Sequence, residues 1–163
     1  MSLPVSPPPT APRQVHLDAL DDLLFGMRRL FQRPGYRRRF LAALGMPVTP
    51  GTLRTVRAAG RLEVDEPCMG DLAASLAVDA STASRLVDQA VADGYLLRRP
   101  STTDQRRTAV EVTDAGQELI DRANEVRREL LAEVTAHWST DDLDTLAELL
   151  GRLTRDLDGL EQS

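Results

Sequence analysis

The sequence predicts a mainly α-helical fold with one small β-hairpin set between helices, and three observations carry that prediction. Apolar residues step by three and four along most of the chain, the period of helices with one buried face. Two short runs rich in β-formers, Tyr95 to Arg99 and Thr108 to Val112, flank a polar stretch from Pro100 to Arg107, as the strands of a hairpin would. Residues suited to capping helices, and glycines suited to ending them, fall where those patterns change.

The chain has 163 residues, 42% of them hydrophobic, which is enough for one substantial core or for a core with dimerisation arms. Residues 1–14, with prolines at 4, 7, 8, 9 and 12, have no periodicity and are expected to form a disordered leader. Residues 15–48 form an N-terminal dimerisation helix with a stripe at Leu17, Leu20, Leu24, Met27 and Phe31. Pro34-Gly35 breaks it, because proline has no N–H for a continuing helix, and it resumes from Tyr36 to Leu44.

Residues 49–113 read as the central module. Thr49 as N-cap with Pro50 in the first turn opens a helix over 50–59 that Gly60 closes. A connector over 61–67 leads to a short helix from Met69 to Leu76, a turn at Ala77-Val78, and a second helix with Asp79 as N-cap. In that second helix Ala83, Leu86, Val87, Ala90 and Val91 face inward, and Gly94 marks the end. Helix, helix, turn, helix and hairpin, in that order, make a winged helix-turn-helix. Residues 114–163 supply two C-terminal dimerisation helices. Thr113 caps the first, with a stripe at Leu119, Ala123, Val126, Leu130 and Val134 running on toward His137. Ser139 and Asp142 form a capping box for the second, which carries Leu143, Leu146, Leu150, Leu153, Leu157 and Leu160.

The net charge of −5 argues against nucleic acid at first sight, but its distribution does not. Residues 1–60 hold nine Arg against three acids, whereas residues 114–163 hold five against thirteen. The outer face of the second turn-motif helix carries Ser81, Thr82, Ser84, Arg85, Asp88 and Gln89. Its hydroxyls can donate to phosphates or bases, and Arg85 can reach a guanine edge. The hairpin sets Arg98, Arg99, Arg106 and Arg107 against Asp104 alone, a basic tip suited to a narrow minor groove. Read blandly, the same residues are a solvated helix face and a charged loop. The two signals in this order favour double-stranded DNA as the partner.

From Leu72 to Val87, and again where Asp104, Gln105, Arg106 and Arg107 lead through a β-run to Val112, Thr113 and Gly116, the chain resembles the MarR family of winged helix-turn-helix transcription regulators. The resemblance implies that Arg106 enters the minor groove and that Asp104 holds the wing arginines in place. It implies that Ser81, Thr82, Ser84 and Arg85 meet the major groove and its phosphates. It also implies a homodimer interlocked through the terminal helices on a palindromic site, acting as a repressor relieved by a small aromatic or phenolic effector. Phe25, Phe31, Tyr36, Phe40 and Trp138, with Arg37, Arg38 and Arg39, are the candidate walls and anion partners of an effector cleft. Pro67-Cys68 stands where the family has an apolar residue and a Thr or Ser cap, which predicts an altered small strand and helix start there.

Other chemistries find little footing. His16 and His137 lack ligand spacing, so no metal is expected, and no cofactor loop, nucleophile elbow or carboxylate pair points to an enzyme. Cys68 is the only cysteine and could form a disulfide only between chains; the family's peroxide sensors carry theirs in the first helix, where this chain has none. No apolar run reaches 18 residues and no signal segment opens the chain, so a cytoplasmic location without membrane contact is expected. The alternative class is a winged-helix dimer that binds a protein partner as an adaptor without touching DNA.

Overall fold

The computed structural model describes residues 11–102 and 107–161. Among them the elements follow in the order α1 (Ala11–Gln32), α2 (Pro34–Leu44), α3 (Pro50–Ala59), α4 (Met69–Leu76), α5 (Ala80–Ala92), β1 (Leu96–Pro100), β2 (Thr108–Val112), α6 (Asp114–Val134) and α7 (Thr140–Glu161). The mainly helical fold with a β-wing is therefore present. The chain divides into two compact units at Arg122–Ala123, within α6.

Local signals explain most boundaries in the first unit. Thr49 is extended and its Oγ1 accepts from the Thr52 N–H at 3.0 Å, so α3 begins where its cap stands. Helix α4 ends at Ala77, which adopts the left-handed conformation at φ 51 and returns its N–H to the last turn. Asp79 caps α5, and Gly94, at φ 82, provides the positive-φ step into β1. The strands pair antiparallel with Leu96 opposite Val112 and Pro100 opposite Thr108. Helices α3, α4 and α5 pack on one another, and α5 packs on β1 while α3 and α4 meet β2. Val56, Leu72, Leu76, Val87, Leu96, Val110 and Leu119 are fully buried in this unit. Each such side chain contributes roughly 1.5–3 kcal/mol of hydrophobic stabilisation.

Two sequence-based boundaries set by prolines are corrected. Helix α1 starts at Ala11 rather than after residue 14, so Arg13 and Gln14 belong to a helix and not to a disordered leader; Pro12 sits in the first turn, where no N–H donor is needed. Helix α2 starts at Pro34 itself, with Arg33 extended at ψ 136 before it, so proline opens the second helix while it ends the first. The altered strand expected at Pro67-Cys68 is a single bridge between Cys68 and Ala109, and α4 still starts at Met69, with the Asp71 carboxylate accepting from the Cys68 N–H at 2.8 Å.

In the second unit α6 ends at Val134, three residues before its expected limit, and a turn leads to α7. The Ser139 Oγ accepts from the Asp142 N–H at 3.1 Å and donates to the Asp142 carboxylate at 2.7 Å, the reciprocal cap read from the sequence. Leu143, Leu146, Leu149, Leu157 and Leu160 of α7 are exposed, as are Leu17, Leu23, Phe25, Met27 and Phe31 of α1 in the first unit. No helix among the described residues is long and apolar enough to cross a membrane.

Candidate nucleic-acid interface

Helix α5 follows from its sequence with one face closed and one open. Ala83, Val87 and Ala90 are completely buried at a spacing of four and three, which turns Ser81, Arg85, Asp88 and Gln89 outward. At its start the Asp79 carboxylate accepts from the Ser81 hydroxyl at 2.5 Å, from the Thr82 hydroxyl at 2.7 Å and from the Thr82 N–H at 2.9 Å. The two hydroxyl protons are thereby committed within the chain. Ser81 and Thr82 therefore present lone pairs, whereas the sequence suggested hydroxyls free to donate to phosphates or bases.

Those bonds from Ser81 and Thr82 hold the Asp79 carboxyl well below the usual carboxylate range. A pKa depressed on folding gives stability that is complete above the ordinary carboxylate value and is lost as pH falls through the folded one. Between pH 5 and pH 2 the thermal midpoint of wild type should therefore fall further than that of Asp79→Asn, which still caps but does not titrate. Parallel slopes in circular-dichroism melts would remove Asp79 from the acid response.

Arg85 is exposed, and its Nη2 makes one long contact with Thr82 Oγ1 at 3.4 Å. Among the described residues it has no carboxylate partner, so its charge is available to a ligand. Gln89 is less so, because its Nε2 donates to Asp93 at 2.8 Å, and the same carboxylate accepts from Thr52 Oγ1 at 2.8 Å, joining the end of α5 to α3.

The hairpin arginines among the described residues, Arg98, Arg99 and Arg107, have intramolecular partners. Arg98 on β1 pairs with Asp88 at 2.9 Å and reaches Ser84 Oγ at 3.5 Å, both on the outward side of α5. Arg99 pairs with Glu111 across the strands at 2.8 Å, and Arg107 lies 3.9 Å from Asp71 at the start of α4. Arg98 thus braces the wing against α5, and sequence reasoning, which counted it as a free cation, missed Asp88 as its partner. Asp104 and Arg106 lie outside the described residues. Asp88 was visible as an outward acid, but no local spacing signals a pairing ten residues away across a turn.

The effector candidates fall in both units. Phe25 and Phe31 are exposed on α1, Tyr36 is half-buried with its ring 5.3 Å from that of Phe31, and Arg37 and Arg38 are exposed. Phe40 is buried in the first unit's core and Trp138 belongs to the second unit. A recess bounded by Ala59, Asp65, Glu66, Pro67, Arg99 and Glu111 lies instead at the root of the hairpin, and it is lined by none of the aromatic candidates. No group of His, Cys, Asp or Glu that could hold a metal occurs among the described residues.

Comparison with known proteins places these elements. Residues 52–108, from α3 to the start of β2, match the model of the MarR family. The chain is 27% identical over 97 residues to the uncharacterized HTH-type transcriptional regulator YdgJ of Bacillus subtilis, which covers 60% of this chain and 59% of that protein. It is 29% identical over 79 residues to the multiple antibiotic resistance protein MarR of Escherichia coli, 48% of this chain and 55% of that one. The chain therefore spans under two thirds of the length of these curated relatives. A MarR family protein from Bacillus stearothermophilus superposes with a TM-score of 0.75 at 21% identity, covering 92% of this chain and 99% of its own, which establishes a shared fold.

Proposed function

We propose that the chain, whose residues 52–108 match the MarR family model, is a member of that family and a transcription regulator that binds duplex DNA as a homodimer. One observation carries the reading: the Arg98 bridge to Asp88 and Ser84 makes the outward face of α5 and the root of the wing adjoining parts of one surface. A helix in the major groove and a hairpin reaching the neighbouring minor groove need that adjacency. Arg85 then reads a base edge or phosphate, Ser81 and Thr82 accept from base amino groups, and Arg106 enters the minor groove beside Arg107.

Dimerisation covers the apolar stripes of α1 and α7, which a lone chain leaves in water. Two-fold symmetry sets the reading helices about one DNA turn apart, roughly 34 Å, and makes the site a palindrome. The regulator acts as a repressor, and an aromatic or phenolic anion releases it by engaging the Phe31–Tyr36 ring pair and Arg37 or Arg38. Acidic partners of the wing arginines favour a second reading, a protein-binding adaptor, because paired cations are less available to phosphate.

Selection of bound duplexes from a random pool separates the two. A palindromic consensus, bound with an affinity that falls steeply as salt rises, is the expected result. Recovery of no consensus together with salt-insensitive protein binding would favour the adaptor.

A further inference from the structure

The connector between α3 and α4 grips both strands of the wing, and its Glu66 does so through a carboxylate. Thr102, just past β1, donates its N–H to Glu66 Oε1 at 2.9 Å and its hydroxyl to the same oxygen at 2.5 Å. Ser101, almost fully buried, donates its hydroxyl to Oε2 and its N–H to the Arg107 carbonyl at 3.0 Å, which closes the strand pair before the tip. The next connector residues hold the other strand: the Pro67 carbonyl accepts from the Val110 N–H at 2.8 Å, and Cys68 bridges Ala109. Glu66 thus fixes the exit of β1 while Pro67 and Cys68 fix β2.

We infer that Glu66 is a positioning residue for the wing, setting the direction in which the hairpin tip leaves the first unit; the inference rests on the DNA-binding reading for its consequence, though not for its geometry. A two-stranded hairpin is marginally stable by itself, and an unfastened one must be ordered when it enters a groove. A carboxylate suits the task because three donors from two adjacent residues converge on it, and bonds to a charged acceptor are stronger than those to a neutral one. Glutamine offers one acceptor oxygen in place of two, so it retains part of the grip.

The test is a double-mutant cycle on the full chain with a selected duplex. Glu66→Ala should weaken binding about tenfold when the wing is intact, and less than about twofold in an Arg106→Ala/Arg107→Ala background, where the wing has little left to contribute. Glu66→Gln should fall between. Hydrogen exchange should show the Thr102 amide losing protection in Glu66→Ala while α5 amides keep theirs. An equal loss in both backgrounds, no loss in either, or unchanged protection at Thr102 overturns the inference. If the wild-type chain selects no duplex, the DNA-binding reading falls, and exchange at Thr102 still decides whether Glu66 fastens the hairpin. Should Glu66→Ala not fold, Glu66→Gln and Thr102→Val carry the same comparison.

Discussion

Removing the guanidinium groups of Arg85 and Arg106 together is expected to weaken binding to a selected duplex by at least about a thousandfold at moderate salt. Direct base reading by one side chain in either groove is worth roughly 1–3 kcal/mol, and a two-fold dimer is deprived of each group twice, so even the low end of that range sums to about 4 kcal/mol. If the groups act instead on phosphates, the slope of log affinity against log salt should become shallower by roughly 0.9 for each phosphate no longer neutralised. Anisotropy titrations of Arg85→Ala, Arg106→Ala and the double variant at several salt concentrations would separate base reading from charge attraction. Arg85 is an apt choice because it is exposed and lacks a carboxylate partner among the described residues, so its removal leaves no acid uncompensated. By contrast Arg98→Ala would strand Asp88 and release the brace to α5, which confounds any change in affinity. A double variant that holds its duplex within a few-fold of wild type, while still folded by circular dichroism, would overturn the proposed interface.

Features within a few residues of one another were legible in the sequence, and features that join distant segments were not. The caps at Thr49, Asp79 and Ser139 stand in the structure where the sequence put them, because each is a side chain satisfying a backbone N–H three residues ahead. The outward face of α5 followed from the helical period, and β2 from its β-formers. Pro12 and Pro34 misled in the same way, since proline breaks a helix only in its interior and both stand in a first turn. Charges misled for a different reason. Counting Arg98, Arg99 and Arg107 as free cations ignored Asp88, Glu111 and Asp71, which only the fold brings within reach. Glu66 has no local signature, because its partners lie 35 and 36 residues on.

A second large effect, also set by a meeting of distant segments, is expected at Gly116. The helical start of α6 is docked on the residues that open β1: Thr113 donates its hydroxyl to the Gly94 carbonyl at 2.8 Å and its N–H to the Tyr95 carbonyl at 3.2 Å, and its Oγ1 accepts from the Gly116 N–H at 3.0 Å. A Cβ on Gly116 would lie 2.2 Å from the Tyr95 carbonyl oxygen and 2.8 Å from Val112 Cγ1. A backbone oxygen cannot swing aside as a side-chain end can, so Gly116→Ala must shift α6 away from β1 and break the bonds at Thr113. Overpacking and lost capping of this kind cost about 2–4 kcal/mol, which for a chain of this size lowers the thermal midpoint by roughly 5–15 °C. Gly159→Ala is the matched control, with nothing within 4 Å of its added Cβ, and should leave the midpoint unchanged or slightly higher, since alanine is the better helix former. Because Tyr95 leads directly into β1, Gly116→Ala should also disturb the wing and weaken binding to a selected duplex. If Gly116→Ala melted within about a degree of wild type, the close approach of α6 to Tyr95 would not be what requires glycine there.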